Sequence, residues 1–169
     1  MTVATTVGEE GCVAFATELM TMIEAGAGLV VGTVSSDGEP RADRAWAASV
    51  VDAGTRRIRF VMSADDPVVV EHLESGTVSL TGADVTTYRS VQLKGRPVVV
   101  EAPTADDAAL VAHQSGVFFE AVHRTDGNPV ELLRRILPRE MVAVEMIVDE
   151  SFDQTPGPTA GMVLDGAEL

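Results

Sequence analysis

Short runs of alternating apolar residues, broken at turns rich in Asp and Gly, limit what this chain can fold into more than any other feature. Residues 29–35 read as a strand, and Ser36, Asp37 and Gly38 as the hairpin turn after it. A second run, 41–51, stops near the turn at Asp52 and Gly54. The third, 57–63, alternates cleanly, with Ile58, Phe60 and Met62 on one face and Arg57, Arg59 and Val61 on the other. Residues 77–82, 88–101 (interrupted at Gly95, Arg96 and Pro97) and 141–148 complete about six strands. Hairpins come early and helices separate the later strands. Such a meander predicts a mainly β, α+β fold built on an antiparallel barrel rather than a parallel α/β sheet. No Gly-x-Gly-x-x-Gly joins a strand to a helix, which weakens a dinucleotide-binding reading.

The helices carry their own start and stop signals. Val13, Phe15, Ala16, Leu19, Met20 and Ile23 give residues 12–25 an amphipathic period, ended by Gly26 and Gly28. Asp66 is placed as the N-cap and Pro67 as the first residue of a helix to about Glu74, stopped at Gly76. Thr104 and Asp107 form a capping box for a helix to about Val122. Asn128 and Pro129 open a shorter helix through Ile136. The chain thus divides into a flexible N-terminus (1–11), one barrel domain (12–150) and a Pro/Gly-rich tail (151–169) whose Pro156-Gly157-Pro158 core suggests a packed loop capping a site.

Charge bounds the partners. The 169 residues hold 26 Asp and Glu against 12 Lys and Arg, a net charge of −14, and Lys94 is the sole lysine. Such a surface repels phosphate backbones and anionic lipid, so neither nucleic acid nor membrane is expected as a partner. The apolar stretches are too short to span a bilayer, and the first residues lack the basic and apolar regions of a secretory signal. Cys12 is the single cysteine, so no internal disulfide forms, which fits a cytoplasmic protein; its apolar helical setting reads as a buried structural thiol.

Little in the sequence resembles a general catalytic motif. His72, His113 and His123 are too far apart to share a metal, and no Cys or carboxylate cluster has ligand spacing, so no metal site is expected. Serine-hydrolase and phosphate-loop motifs are absent. By two-residue periodicity Ala42, Arg44, Trp46 and Ala48 share one strand face. They read equally as a shelf for a flat anionic ring or as a surface arginine beside a core tryptophan. Ser90, Gln92 and Lys94 line one face of the fifth strand. They suit donation to ring carbonyls or phosphate, or the solvated face of a half-buried sheet.

The order of these segments resembles the pyridoxamine 5′-phosphate oxidase-like, FMN-binding split-barrel family. The resemblance is carried by Gly32 to Pro40, Arg44-Ala45-Trp46, Arg59 to Ser63, Thr87 to Gly95 and the Asp153 to Pro158 tail, and covers roughly residues 12–160. It implies a six-stranded antiparallel split β-barrel, a homodimer, and FMN in two clefts at the interface. By position it implies that Arg44, Ala45, Trp46 and Ala47 run along the flavin and that Val61, Met62 and Ser63 meet its ribityl or phosphate end. Ser90 takes the place of a ring-contacting family glutamine, with Gln92 two residues on, and Gln154 closes the cleft. Catalytic residues are not assigned.

The sequence departs from the family where a basic pair for the phosphate is expected. Pro67 and Val68 stand there, next to Asp65 and Asp66, and carboxylates repel a phosphate dianion. A charge-assisted contact contributes about 1.5–3 kcal/mol, so losing two weakens FMN by roughly a hundredfold to several thousandfold or more; Arg41, Arg44 and Arg89 are the candidates to compensate. The resemblance implies an FMN-dependent oxidoreductase acting on a small molecule. The alternative, favoured by Asp65 and Asp66, is a non-enzymatic barrel that has lost tight FMN binding and holds another ligand or serves as an accessory protein. A deazaflavin with an acidic tail suits this charge badly, and no histidine lies on a strand of the expected cleft, which disfavours haem.

Overall fold

The structure is a computed structural model that describes residues 21–23, 26–73 and 76–164. Its strands are β1 (Ala27–Val34), β2 (Pro40–Asp52), β3 (Arg57–Ser63), β4 (Val78–Asp84), β5 (Ser90–Glu101) and β6 (Met141–Asp153). All pair antiparallel and close into a barrel in the order β1-β2-β3-β6-β5-β4, so the expected antiparallel barrel is what forms. The helices are α1 (Pro67–Leu73) between β3 and β4, then α2 (Ala105–Asp126) and α3 (Val130–Leu133) between β5 and β6; a 3-10 turn, Arg134–Ile136, follows α3. No described helix is long and apolar enough to cross a membrane.

Alternation along the strands sorts the apolar side chains into two cores. Leu29, Val31, Ile58, Phe60, Met62, Leu80, Leu93, Val144 and Met146 fill the barrel, closed over by Ile23 and by Val69 and Leu73 of α1. Outside, α2 and α3 cover Trp46, Ala47, Val61 and Ala143 with Val111 and Phe119. Burial of each large side chain contributes about 1.5–3 kcal/mol. Local signals act as the sequence predicts at two helix starts. The Asp66 carboxylate accepts the Val68 N–H at 3.0 Å. The Thr104 hydroxyl accepts the Asp107 N–H while the Asp107 carboxylate accepts the Thr104 N–H at 2.7 Å. The helix then runs four residues past Val122, and Gly127 ends it at φ 75°, a left-handed conformation that costs glycine nothing.

Three expectations change. β5 is not interrupted at Gly95–Pro97; it bends there through two bulges against β6. β6 continues past Val148 to Asp153, because β5 offers it a partner along that whole length and Ser151 is buried beneath it. The third is a bulge in β2. Ala45 pairs with Met62 and Ala47 with Val61, so Trp46 is the extra residue. Parity flips at that point: Ala45 and Ala48 face the barrel interior, whereas Trp46 and Ala47 face α2. Ala48 therefore does not share the face of Arg44 and Trp46.

Past Ala45, β2 has left β1, and the exposed backbone edge needs another partner. Gln114 of α2 supplies it: its Oε1 accepts the Ala48 N–H at 2.8 Å and its Nε2 donates to the Ala48 carbonyl at 3.0 Å. After Asp153 the chain loops out and returns. Val163 bridges Phe152, and Leu164 donates its N–H to the Ser151 carbonyl and rests on the interior core. The Asp153 carboxylate, accepting from the Thr159 hydroxyl and from Thr155, holds this loop and is kept below the usual carboxylate pKa by those bonds. The expectations for residues 1–11, for Cys12 and for most of the helix at 12–25 lie outside the described residues, of which 21–23 are helical.

Candidate functional site

A groove of about 530 Å³ opens on the outer surface of the barrel where β2, the end of β3 and the segment before β6 meet. Its volume falls in the range of small-molecule sites, roughly 300–1,000 Å³. Asp43, Arg44 and Trp46 of β2 form one wall, Ser63, Asp65 and Asp66 the floor after β3, and residues 135–139 the opposite wall. A second cavity, between α2 and the β1–β2 split, is only about 10 Å³, room for no cofactor.

Alternation along β2 puts Arg44 and Trp46 on the outer side, and the bulge at Trp46 keeps Ala47, which strict alternation would send inward, beneath α2 beside them. Trp46 is only 5% exposed and meets Phe119 edge-to-face at 6.1 Å, so its ring belongs to the outer core that backs the groove. Its Nε1 is a buried donor without an acceptor. Arg44 is exposed, and among the described residues its guanidinium has no ion pair.

The groove's carboxylates are largely committed to backbone. Asp65 accepts the Arg139 N–H at 3.1 Å and the Glu140 N–H at 2.8 Å, fastening the segment before β6 across the groove. Asp66 caps α1, and Asp43 accepts the Arg44 N–H at 2.6 Å. Opposite them stand Arg135 and Arg139, exposed and, like Arg44, without an ion pair among the described residues.

The sequence-predicted residues fall into two patches and the core. Arg44, Trp46 and Ser63 line the groove. Ala45 and Met62 point into the barrel, and Ala47 and Val61 pack beneath α2, so these four can meet a ligand only through backbone atoms. Ser90, Gln92 and Gln154 come together elsewhere. Gln154 donates its N–H to the Ser90 carbonyl at 2.9 Å and its Nε2 to Gln92 Oε1 at 3.5 Å, while Gln92 Nε2 donates to Thr81 Oγ1 at 3.2 Å. Gln92 pairs with Thr81, Thr81 with Val30 and Val30 with Arg44, so this patch lies three strands around the six-stranded barrel from the groove. None of residues 151–164 lines the groove of its own chain. Pro67 and Val68, at the expected phosphate position, do not line it either.

Arg135 and Arg139 were not among the residues read from sequence as candidates. The available signal was density: Arg134, Arg135 and Arg139 put three of only twelve bases within six residues. Among the described residues no group of three or more His, Cys, Asp or Glu is placed to hold a metal ion.

No family model matches the sequence, and no curated protein matches it. Solved structures do. A Clostridium acetobutylicum protein related to general stress protein 26 of B. subtilis, described as of the pyridoxinephosphate oxidase family, is 15% identical over 89% of this chain and 94% of its own, with a TM-score of 0.52. HupZ of Group A Streptococcus is 14% identical over 86% of this chain and 98% of its own, with a TM-score of 0.51. At such identity the likeness is one of architecture, and it agrees with the strand order found here: the chain has the split-barrel fold of the pyridoxamine 5′-phosphate oxidase-like proteins.

Proposed function

We propose that this protein is an FMN-dependent oxidoreductase that acts on a small molecule as a homodimer. The observation that carries the reading is the groove beside the β2 bulge. It has a volume in the small-molecule range, Trp46 in its wall and three guanidinium groups without an ion pair among the described residues, which suit a flat, anionic cofactor. Bound there, FMN would supply the hydride or electron transfer. Arg44 and Trp46 would orient the flavin and Ser63 would meet its chain. The protein's part in this reading is orientation and exclusion of water.

The two patches support the dimer reading. They lie on the outer surface of the barrel to either side of β1 and β4, with Val30 of β1, 43% exposed, between them. A twofold axis near β1 and β4 sets the groove of one protomer against Ser90, Gln92 and Gln154 of the other, so each cleft is completed by its partner. The second reading, a barrel that holds a different ligand without catalysis, is favoured by Asp65 and Asp66 in the groove floor.

An absorbance spectrum of the purified protein, followed by titration with FMN, separates the two. Saturable binding, weakened at least tenfold by Arg44→Ala with an unchanged circular dichroism spectrum, is the expected result. A colourless protein that ignores FMN rejects the flavin reading in favour of the second.

A further inference from the structure

We infer that Arg135 and Arg139, on the segment before β6, form a phosphomonoester subsite in the groove, and that Asp65 is the residue that positions it. The inference rests on the flavin reading above, and it assigns the phosphate to a part of the chain that the sequence resemblance does not.

Charge alone argues against a phosphate here. Three carboxylates, Asp43, Asp65 and Asp66, line the same groove as three guanidinium groups. The two sets differ in what they are free to do. Each carboxylate accepts at least one backbone N–H: Asp43 from Arg44, Asp66 from Val68, Asp65 from both Arg139 and Glu140. The guanidinium groups of Arg44, Arg135 and Arg139 have no such engagement among the described residues. A guanidinium presents five donors in a planar fork that matches two phosphate oxygens at once. Three such forks around one groove, none with an ion pair among the described residues, form a donor set for an anion with several oxygens.

Asp65 links the acidic floor to the basic wall. Its carboxylate ties the backbone of residues 139 and 140 to the end of β3, and the Ala64 N–H donates to the Glu140 carbonyl at 2.9 Å beside it. Arg139 is thereby fixed at the groove edge, and Arg135 follows at the end of the short helical stretch that precedes it. The acidic residue standing near the expected phosphate base is then the anchor of a displaced basic pair.

The test compares FMN with riboflavin, which lacks only the phosphate, by quenching of flavin fluorescence on titration with the full-length protein. The wild type is expected to favour FMN by about a hundredfold, and Arg135→Ala with Arg139→Ala to reduce that preference to near unity while riboflavin affinity stays constant. Arg124→Ala, at the exposed end of α2 and outside the groove, is expected to keep the preference. Asp65→Ala discriminates further. Simple repulsion predicts tighter FMN once that charge is gone, whereas an anchor predicts FMN binding at least tenfold weaker. Circular dichroism verifies that each variant is folded. Equal affinity for the two flavins overturns the subsite and leaves the flavin reading standing, as does a preference for FMN that survives in the double variant. Binding of neither flavin overturns both.

Discussion

Arg59 shows at the scale of one residue how the long helix is fastened to the barrel. Its guanidinium, on the outer face of β3, donates to both oxygens of Asp107 at 2.8 and 2.7 Å, to Glu101 at 2.9 Å and to Glu145 at 3.1 Å. Asp107 is only 5% exposed and also closes the capping box of α2. The Arg59 guanidinium holds its carboxyl far below the usual carboxylate range, against the opposing effect of burial, with the Thr104 N–H and hydroxyl contributing. Replacing Arg59 with Met strands a buried carboxylate, and a loss of about 3–5 kcal/mol in urea denaturation at pH 7 is expected. A loss under 1 kcal/mol would show the pair to be incidental. The sign with pH follows from the depressed pKa. The contribution is full above the unfolded carboxyl value of about 3.9 and declines as acid carries the pH down toward the folded value. The wild type's advantage over Arg59→Met is therefore constant from pH 7 to about 5 and shrinks below about 4.

At the scale of an element, the decisive events are irregularities in strands that are otherwise regular. Gln114 takes over the edge of β2 where β1 leaves it, and both of its amide ends are used on Ala48. Gln114→Leu leaves that buried N–H and carbonyl without partners, so the unfolding midpoint is expected to fall by the equivalent of roughly 2–5 kcal/mol, read by thermal or urea melts. On β5, Gly95 sits at a bulge where a Cβ would overlap the Ile147 carbonyl. Backbone cannot yield as a flexible side chain does, so Gly95→Ala is expected to lower the melting temperature or prevent soluble folding. An unchanged melt would place the close approach elsewhere. The sequence marked Gly95 only as a break in a strand. It could not mark Trp46, because a bulge is a property of two strands in register and nothing local to residues 45–47 requires it.

At the scale of the molecule, the two patches of candidate residues would share one cleft only in the proposed dimer. The groove and the Ser90–Gln92–Gln154 patch lie three strands apart around the barrel, and Val30 stands between them on β1. Val30→Glu places a like charge across the proposed twofold axis. Sedimentation velocity is expected to show a dimer for the wild type and a monomer for the variant, with FMN affinity falling in parallel and the melting temperature little changed. A wild-type monomer at micromolar concentration would remove the shared cleft. The sequence by itself determined what depends on neighbours along the chain: the hairpin turns, the alternation in β3, the helix starts at Asp66 and Thr104, and the polar face of Ser90, Gln92 and Lys94. Those signals are one or two turns long and act through local backbone bonds. Tertiary structure alone decided which side of β2 each residue takes after Trp46, how far β6 runs, and that Asp65 is tied to the backbone at Arg139, 74 residues away. Each of those outcomes is fixed by pairing between segments distant in sequence, and no local pattern of residues encodes which distant backbone will arrive.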